Sequence, residues 1–243
     1  CCFADLDLKQ QGVIEDFQLL FYIIQPPTPE RVKYDIFDRV NRGGTPLNKQ
    51  EMRNALYRGR CTRMLDKLCC SPEFLIATGR SINKERMKDQ YVVLRAMAFL
   101  MLHRGEFKDI PALQYRGDID DFLARFMVYV NDNAPEKLIV DYENLFIRCM
   151  QISYDLLGEN GFRFSGNGIR RPINMPLFEA LSYLFSFVPE KIDYTWASRL
   201  ILDIESVKEE FDDSRYFSGN IDSTTSVSFR FDRMDKIRNR IQL

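Results

Sequence analysis

The apolar positions of this chain change period early. Residues 17–24, Phe-Gln-Leu-Leu-Phe-Tyr-Ile-Ile, form a nearly continuous apolar run rich in aromatic and β-branched side chains, closed by Pro26, Pro27 and Pro29. A short run with those boundaries predicts a strand buried on both faces. From residue 28 the spacing becomes helical. Thr28-Pro29-Glu30 supplies a cap residue, a proline and an early acid, and Val32, Ile36, Phe37 and Val40 fall on one side of the helix that follows. A Gly43-Gly44 turn separates it from a second helix, which Thr45-Pro46 is expected to open and Gly59 to close.

Beyond Cys61 the pattern predicts helix after helix. Residues 62–70 make a short amphipathic one, and Ser71-Pro72-Glu73 starts another that stops at Gly79. Residues 84–103 form a helix that is apolar almost all round from Tyr91 to Leu102, which marks a buried central helix. Arg95 inside it requires a partner, because an unpaired buried charge is too costly to keep. His103 near that helix end reads as a capping or surface residue rather than a catalyst. Residues 118–131 give a further helix, and Leu138, Tyr142, Leu145, Cys149, Ile152 and Leu156 draw one stripe along a long helix that Gly158 closes. Residues 174–188 and a helix opened by Thr195 follow, the latter turning Leu200, Ile204, Val207 and Phe211 inward. The last helix places Val227, Phe231, Met234 and Ile241 inside and Arg230, Arg233, Lys236, Arg238 and Arg240 outside. The expected fold is therefore mainly α: a multi-helix bundle at residues 61–243, after one strand and two helices at residues 1–60.

Composition narrows the classes of function. The 243 residues are 45% hydrophobic and 28% charged, as in an ordinary globular protein. A formal net charge of −1 leaves any nucleic-acid contact to local patches. One histidine, His103, is too few for an HNH-type nuclease; a Ser/His/Asp or Cys/His system would rest wholly on it, with no serine or cysteine in a recognisable elbow, and no Gly-x-x-x-x-Gly-Lys-Ser/Thr loop occurs. The six cysteines lack Cys-x-x-Cys spacing, so a zinc site is not expected, and free thiols point to a reducing, cytoplasmic setting. No run of about twenty apolar residues spans a membrane.

Candidate chemistry gathers at the glycine turn. Asn41, Arg42, Gly43, Gly44 and Thr45 combine exposed N–H donors at a helix start with nearby cations, a pattern suited to phosphate. Glu51 and Asn54 lie three apart on one helical face and can point toward the same pocket, with Arg53 beside them. A plain joint between two helices is the alternative reading. A second loop carries Arg163, Arg170 and Arg171 among Gly161, Gly166 and Gly168. It suits either a DNA backbone contact or an ordinary surface loop.

The segment 37–57, Phe-Asp-Arg-Val-Asn-Arg-Gly-Gly-Thr-Pro-Leu-Asn-Lys-Gln-Glu-Met-Arg-Asn-Ala-Leu-Tyr, resembles the signature of the bacterial family best known from the N-terminal domain of GmrSD-type, modification-dependent restriction systems. The resemblance continues through Arg86-Met-Lys-Asp89 with Val93-Leu-Arg95, and through Arg171-Pro-Ile-Asn-Met175 with Leu177-Phe-Glu179. It implies a ParB- and sulfiredoxin-like fold, of which residues 1–60 would be the C-terminal portion. In that pattern Asn41, Leu47 and Glu51 keep the spacing of a nucleotide pocket, while Gly44 stands where an arginine is usual and Arg42 lies two positions earlier. The family's upstream Asp-Gly-Gln-Arg motif is not in this sequence, so the chain is expected to be a fragment without a complete active site. What the resemblance implies is a nucleotide- and DNA-sensing module of a restriction or phage-defence system. Its ligand would be a nucleoside triphosphate with Mg2+, Glu51 a metal ligand, and cleavage the task of a separate nuclease domain or subunit. The competing expectation is a non-catalytic helical protein-interaction domain.

Overall fold

The computed structural model describes residues 2–21, 23, 25, 32, 35–37, 39, 46–165, 170–189, 191, 193–212 and 214–240. The chain divides into two compact units, Cys1–Pro46 and Leu47–Leu243. Every regular element among the described residues is helical.

In the first unit, α1 (Leu8–Glu15) begins with a reciprocal cap: Asp7 accepts from the Gln10 amide at 2.7 Å, and the Gln10 side chain returns to the Asp7 N–H at 3.3 Å. Val32, Asp35, Ile36, Phe37 and Arg39 are helical, as their spacing predicts. The strand expected at residues 17–24 is not found among the described residues. Phe17, Leu19, Leu20, Phe21 and Ile23 lack regular structure and are all well exposed. A strand needs neighbours to pair its amides and carbonyls, and no described segment offers one.

The second unit is built around two helices with no polar face. In α5 (Lys88–His103) every residue from Val92 to Met101 is buried, and in α8 (Met175–Phe185) every residue from Pro176 to Phe185 is buried. They pack on each other. Around them lie α2 (Lys49–Leu56), α3 (Arg60–Cys69), α4 (Pro72–Ala77), α6 (Ile119–Asp132), α7 (Glu136–Leu157), α9 (Tyr194–Asp212), the short α10 (Arg215–Ser218) and α11 (Thr224–Arg240). Helix α3 packs on α5 and α6, α4 on α7, and α11 on α8. Two aromatic groups fill the centre: Phe99, Phe122 and Tyr115 with Phe231 and His103, and Phe74, Phe146, Phe162 and Phe178.

Most of the expected helices stand, with local corrections. Helix α2 does not begin at Thr45-Pro46: Asn48 caps it and Lys49 is its first residue. The helix ends at Leu56, and Gly59 becomes the cap residue of α3. Leu200, Ile204, Val207 and Phe211 face inward in α9 as expected. Arg230, expected on the outer face of α11, is fully buried. Positions 227, 230, 231 and 234 form one i, i+3, i+4, i+7 stripe, so Arg230 lies on the apolar side despite its charge. His103, in the last turn of α5, is partly buried, its ring stacked on Phe231 at 3.5 Å between centroids.

Candidate functional site

Helix α2 carries the described part of the glycine-turn signature. Asn48 accepts from the amides of Gln50 (2.8 Å) and Glu51 (2.9 Å), while Glu51 Oε2 accepts from the Asn48 N–H at 2.6 Å. Asn48-x-x-Glu51 is thus a capping box. The same carboxylate takes the Arg86 guanidinium at 3.0 Å, and the Asn48 amide donates to the Arg86 carbonyl at 2.7 Å. The Arg86 hydrogen bond, helped by the Asn48 N–H, holds the Glu51 carboxyl below the usual glutamate range.

Arg53 points the other way, into the bundle. Its guanidinium donates to Gln50 Oε1 (3.1 Å) and Asp120 Oδ1 (2.9 Å) and lies 5.3 Å from the Tyr91 ring centroid. Lys49 joins it on Asp120, and these two cations hold the aspartate low although burial pushes it up. Asn54 donates to Gln90, whose own amide reaches Asp66, and accepts from Gln50 at 2.8 Å. The structure therefore does not converge Glu51, Arg53 and Asn54 on one pocket. Glu51 joins Arg86, Arg53 joins Asp120 and Asn54 joins Gln90, so the three bind α2 to the elements around it. Asn41, Arg42, Gly43, Gly44 and Thr45 lie outside the described residues.

The glycine-arginine loop is also committed inward. Arg163 is buried, with its guanidinium donating to the carbonyls of Glu159 (3.2 Å), Thr78 (3.1 Å) and Arg171 and to the Ser81 hydroxyl. It cannot reach a DNA backbone from there. Arg170 and Arg171 keep side chains near half exposed, paired with Glu159 (2.7 Å) and Asp212 respectively.

Glu51 does not suit a metal. Both its oxygens face the Arg86 guanidinium, one also holds the Asn48 amide, and no group of three His, Cys, Asp or Glu side chains suited to an ion occurs among the described residues. Nor is any described helix long and apolar enough to cross a membrane.

The densest polar assembly was only half anticipated. Arg95, expected to need a partner, gives Nε to Glu179 Oε1 and Nη2 to Asp222 Oδ1 at 2.6 Å. Arg230 approaches the other Glu179 oxygen at 3.0 Å and donates to the Ile221 carbonyl. Arg95, Glu179 and Arg230 have essentially no exposed surface. Burial works against the charge on Arg95, yet Glu179 and Asp222 outweigh it and raise the guanidinium well above its ordinary value. Arg230 has Glu179 as its carboxylate contact and feels Arg95 as a like charge, so burial leaves it lowered. Two cations and two carboxylates balance, which is how a bundle core tolerates them. Compared with protein-family models, curated proteins and solved structures, the chain matches none of them.

Proposed function

We propose that this chain is the nucleotide- and DNA-sensing module of a bacterial modification-dependent restriction or phage-defence system, working in the cytoplasm beside a separate nuclease domain or subunit. Asn41, Arg42 and the amides of Gly43, Gly44 and Thr45 hold the phosphates of a nucleoside triphosphate, and Arg170 and Arg171 meet the DNA backbone once their carboxylate partners release them. Support comes from the resemblance of segment 37–57, joined by one observation: the separate segments that carry the resemblance meet in pairs. Glu51 of the first bonds Arg86 of the second, and Arg95 of the second bonds Glu179 of the third. In this reading Glu51, Arg53 and Asn54 are positioning residues that fix α2, three residues after the turn, and no step passes through a metal on Glu51.

The second reading, a helical interaction domain without ligand, is favoured by the engagement of Glu51, Arg53 and Asn54 with protein partners. Thermal melts of the protein with each nucleoside triphosphate and Mg2+ separate the two, since a ligand of the folded state raises the midpoint. A rise that Asn41→Ala abolishes supports the nucleotide reading. Unchanged midpoints with all four triphosphates end it in favour of the interaction domain. Arg171→Ala is expected to lower the salt slope of DNA retention by about one unit.

A further inference from the structure

The connector between α4 and α5 contains all three described non-glycine residues with positive φ: Arg80 at 50°, Arg86 at 56° and Met87 at 58°. Each costs on the order of 1 kcal/mol, and such strain gathers where the surrounding structure has a use for the geometry. The connector is held at both ends. Arg163 grips the Thr78 carbonyl and Ser81 hydroxyl, and the α2 cap grips Arg86.

Between these fixed ends lies a cleft of about 360 Å³, lined by Phe74, Leu75, Ile82, Arg80, Lys84 and Asp89 among others. That volume is at the small end of the range for organic ligands. Phe74, Leu75 and Ile82 give it an apolar portion. Asp89 is the unusual wall: it is 7% exposed, enters no ion pair among the described residues, and receives the Gln90 amide on Oδ1 at 2.8 Å. A buried carboxylate ordinarily fills its acceptor sites. The second oxygen has no such donor among the described residues and is not sealed off from solvent, and Asp89 lines the cleft. Arg80 and Lys84 line the same cleft and carry side-chain charges with no ion pair among the described residues.

We propose that this cleft binds a small zwitterion of the amino-acid class, free or as a short peptide. Asp89 takes its ammonium, Arg80 and Lys84 take its carboxylate, and Phe74, Leu75 and Ile82 take an apolar side chain. An acid more than nine-tenths buried, in one cleft with two cations that enter no ion pair among the described residues and with apolar side chains, complements that charge pattern, whereas a simple anion would meet Asp89 unfavourably.

Isothermal titration of the full chain with L-leucine and with L-leucyl-L-leucine tests this, with N-acetyl-L-leucine and L-leucinamide as controls lacking one charge each. At least one zwitterion is expected to bind saturably, and whichever binds tighter identifies the free or peptide source. Each control should bind at least about tenfold more weakly, the equivalent of one charge-assisted hydrogen bond. Asp89→Asn should lose the preference for the free ammonium, and Lys84→Gln, at an exposed position that leaves the fold intact, should weaken the zwitterion but not the amide. Absence of saturable binding by both zwitterions overturns the proposal. So does binding that acetylation or Lys84→Gln leaves unchanged.

Discussion

Replacing Glu179 by alanine is expected to be among the most damaging single changes to the bundle. The carboxylate faces Arg95 on one oxygen and Arg230 on the other, and none of the three has appreciable contact with solvent. Without it, Arg95 keeps Asp222, but Arg230 keeps only carbonyls, and two like charges face each other across a new void. Removing one partner of a buried ion pair costs about 3–5 kcal/mol, because the remaining charge stays in the interior. For a unit of this size each kcal/mol moves the thermal midpoint by about 2–4 °C, so the loss is roughly 6–20 °C. Removing the whole network is different. The triple variant Arg95→Met, Glu179→Leu, Arg230→Met has no charge to strand except Asp222, whose side chain is already partly open to water. Its loss should be far smaller than the sum of the three single losses, a coupling that urea denaturation of all four variants measures. A Glu179→Ala cost below about 1 kcal/mol, or additive losses, would show that the three side chains do not share one buried network.

His103 and Arg163 supply two further tests. Burial first, and the Arg230 charge second, lower the His103 imidazole to about 3, so the folded protein holds it neutral. A depressed folded value gives stability that is complete above the unfolded pKa of about 6.5 and shrinks as pH falls toward the folded value, by up to about 1.4 kcal/mol per pH unit. His103→Phe, which keeps a ring against Phe231, should flatten the fall in urea midpoint between about pH 6.5 and pH 4.5; an unchanged slope refutes the assignment. Arg163→Met should cost more than about 3 kcal/mol in urea titrations, since it strips several carbonyls of their donor in a buried site. Arg163→Lys should recover little, as an ammonium cannot span those acceptors. A loss under about 1 kcal/mol would place Arg163 at the surface after all.

Helix periodicity reads most clearly in this sequence where hydrophobicity and position agree. The stripe of α9 and the burial of α5 follow directly from spacing, and the need of Arg95 for a partner follows from desolvation alone. That its partner is Glu179, eighty-four residues away, depends on how helices pack and has no local signature. Asn48-Lys-Gln-Glu51, by contrast, is a capping pattern visible in the sequence, overshadowed by the stronger-looking Thr45-Pro46. The apolar run at residues 17–24 misleads in the opposite way, because composition can favour a strand without supplying the strands it must pair with.

The arginines show why the candidate site was harder to read than the fold. Charge suggests surface, and on that ground Arg53, Arg163 and Arg230 look available to an anion. Position decides otherwise for two of them. Arg53 shares a face with Gln50 and Tyr57 at i−3 and i+4, and Arg230 shares one with Val227 and Met234 at i−3 and i+4, all of them buried. Arg163 has no helical position to betray it, and its burial rests on the nearby carbonyls of Glu159 and Arg171 and on that of Thr78, far away in the sequence. A guanidinium on an inward stripe is therefore better read as one half of an ion pair whose other half lies elsewhere in the sequence. Arg80 and Lys84, exposed cations that share the cleft with Asp89 and enter no ion pair among the described residues, are the better place to look for a ligand.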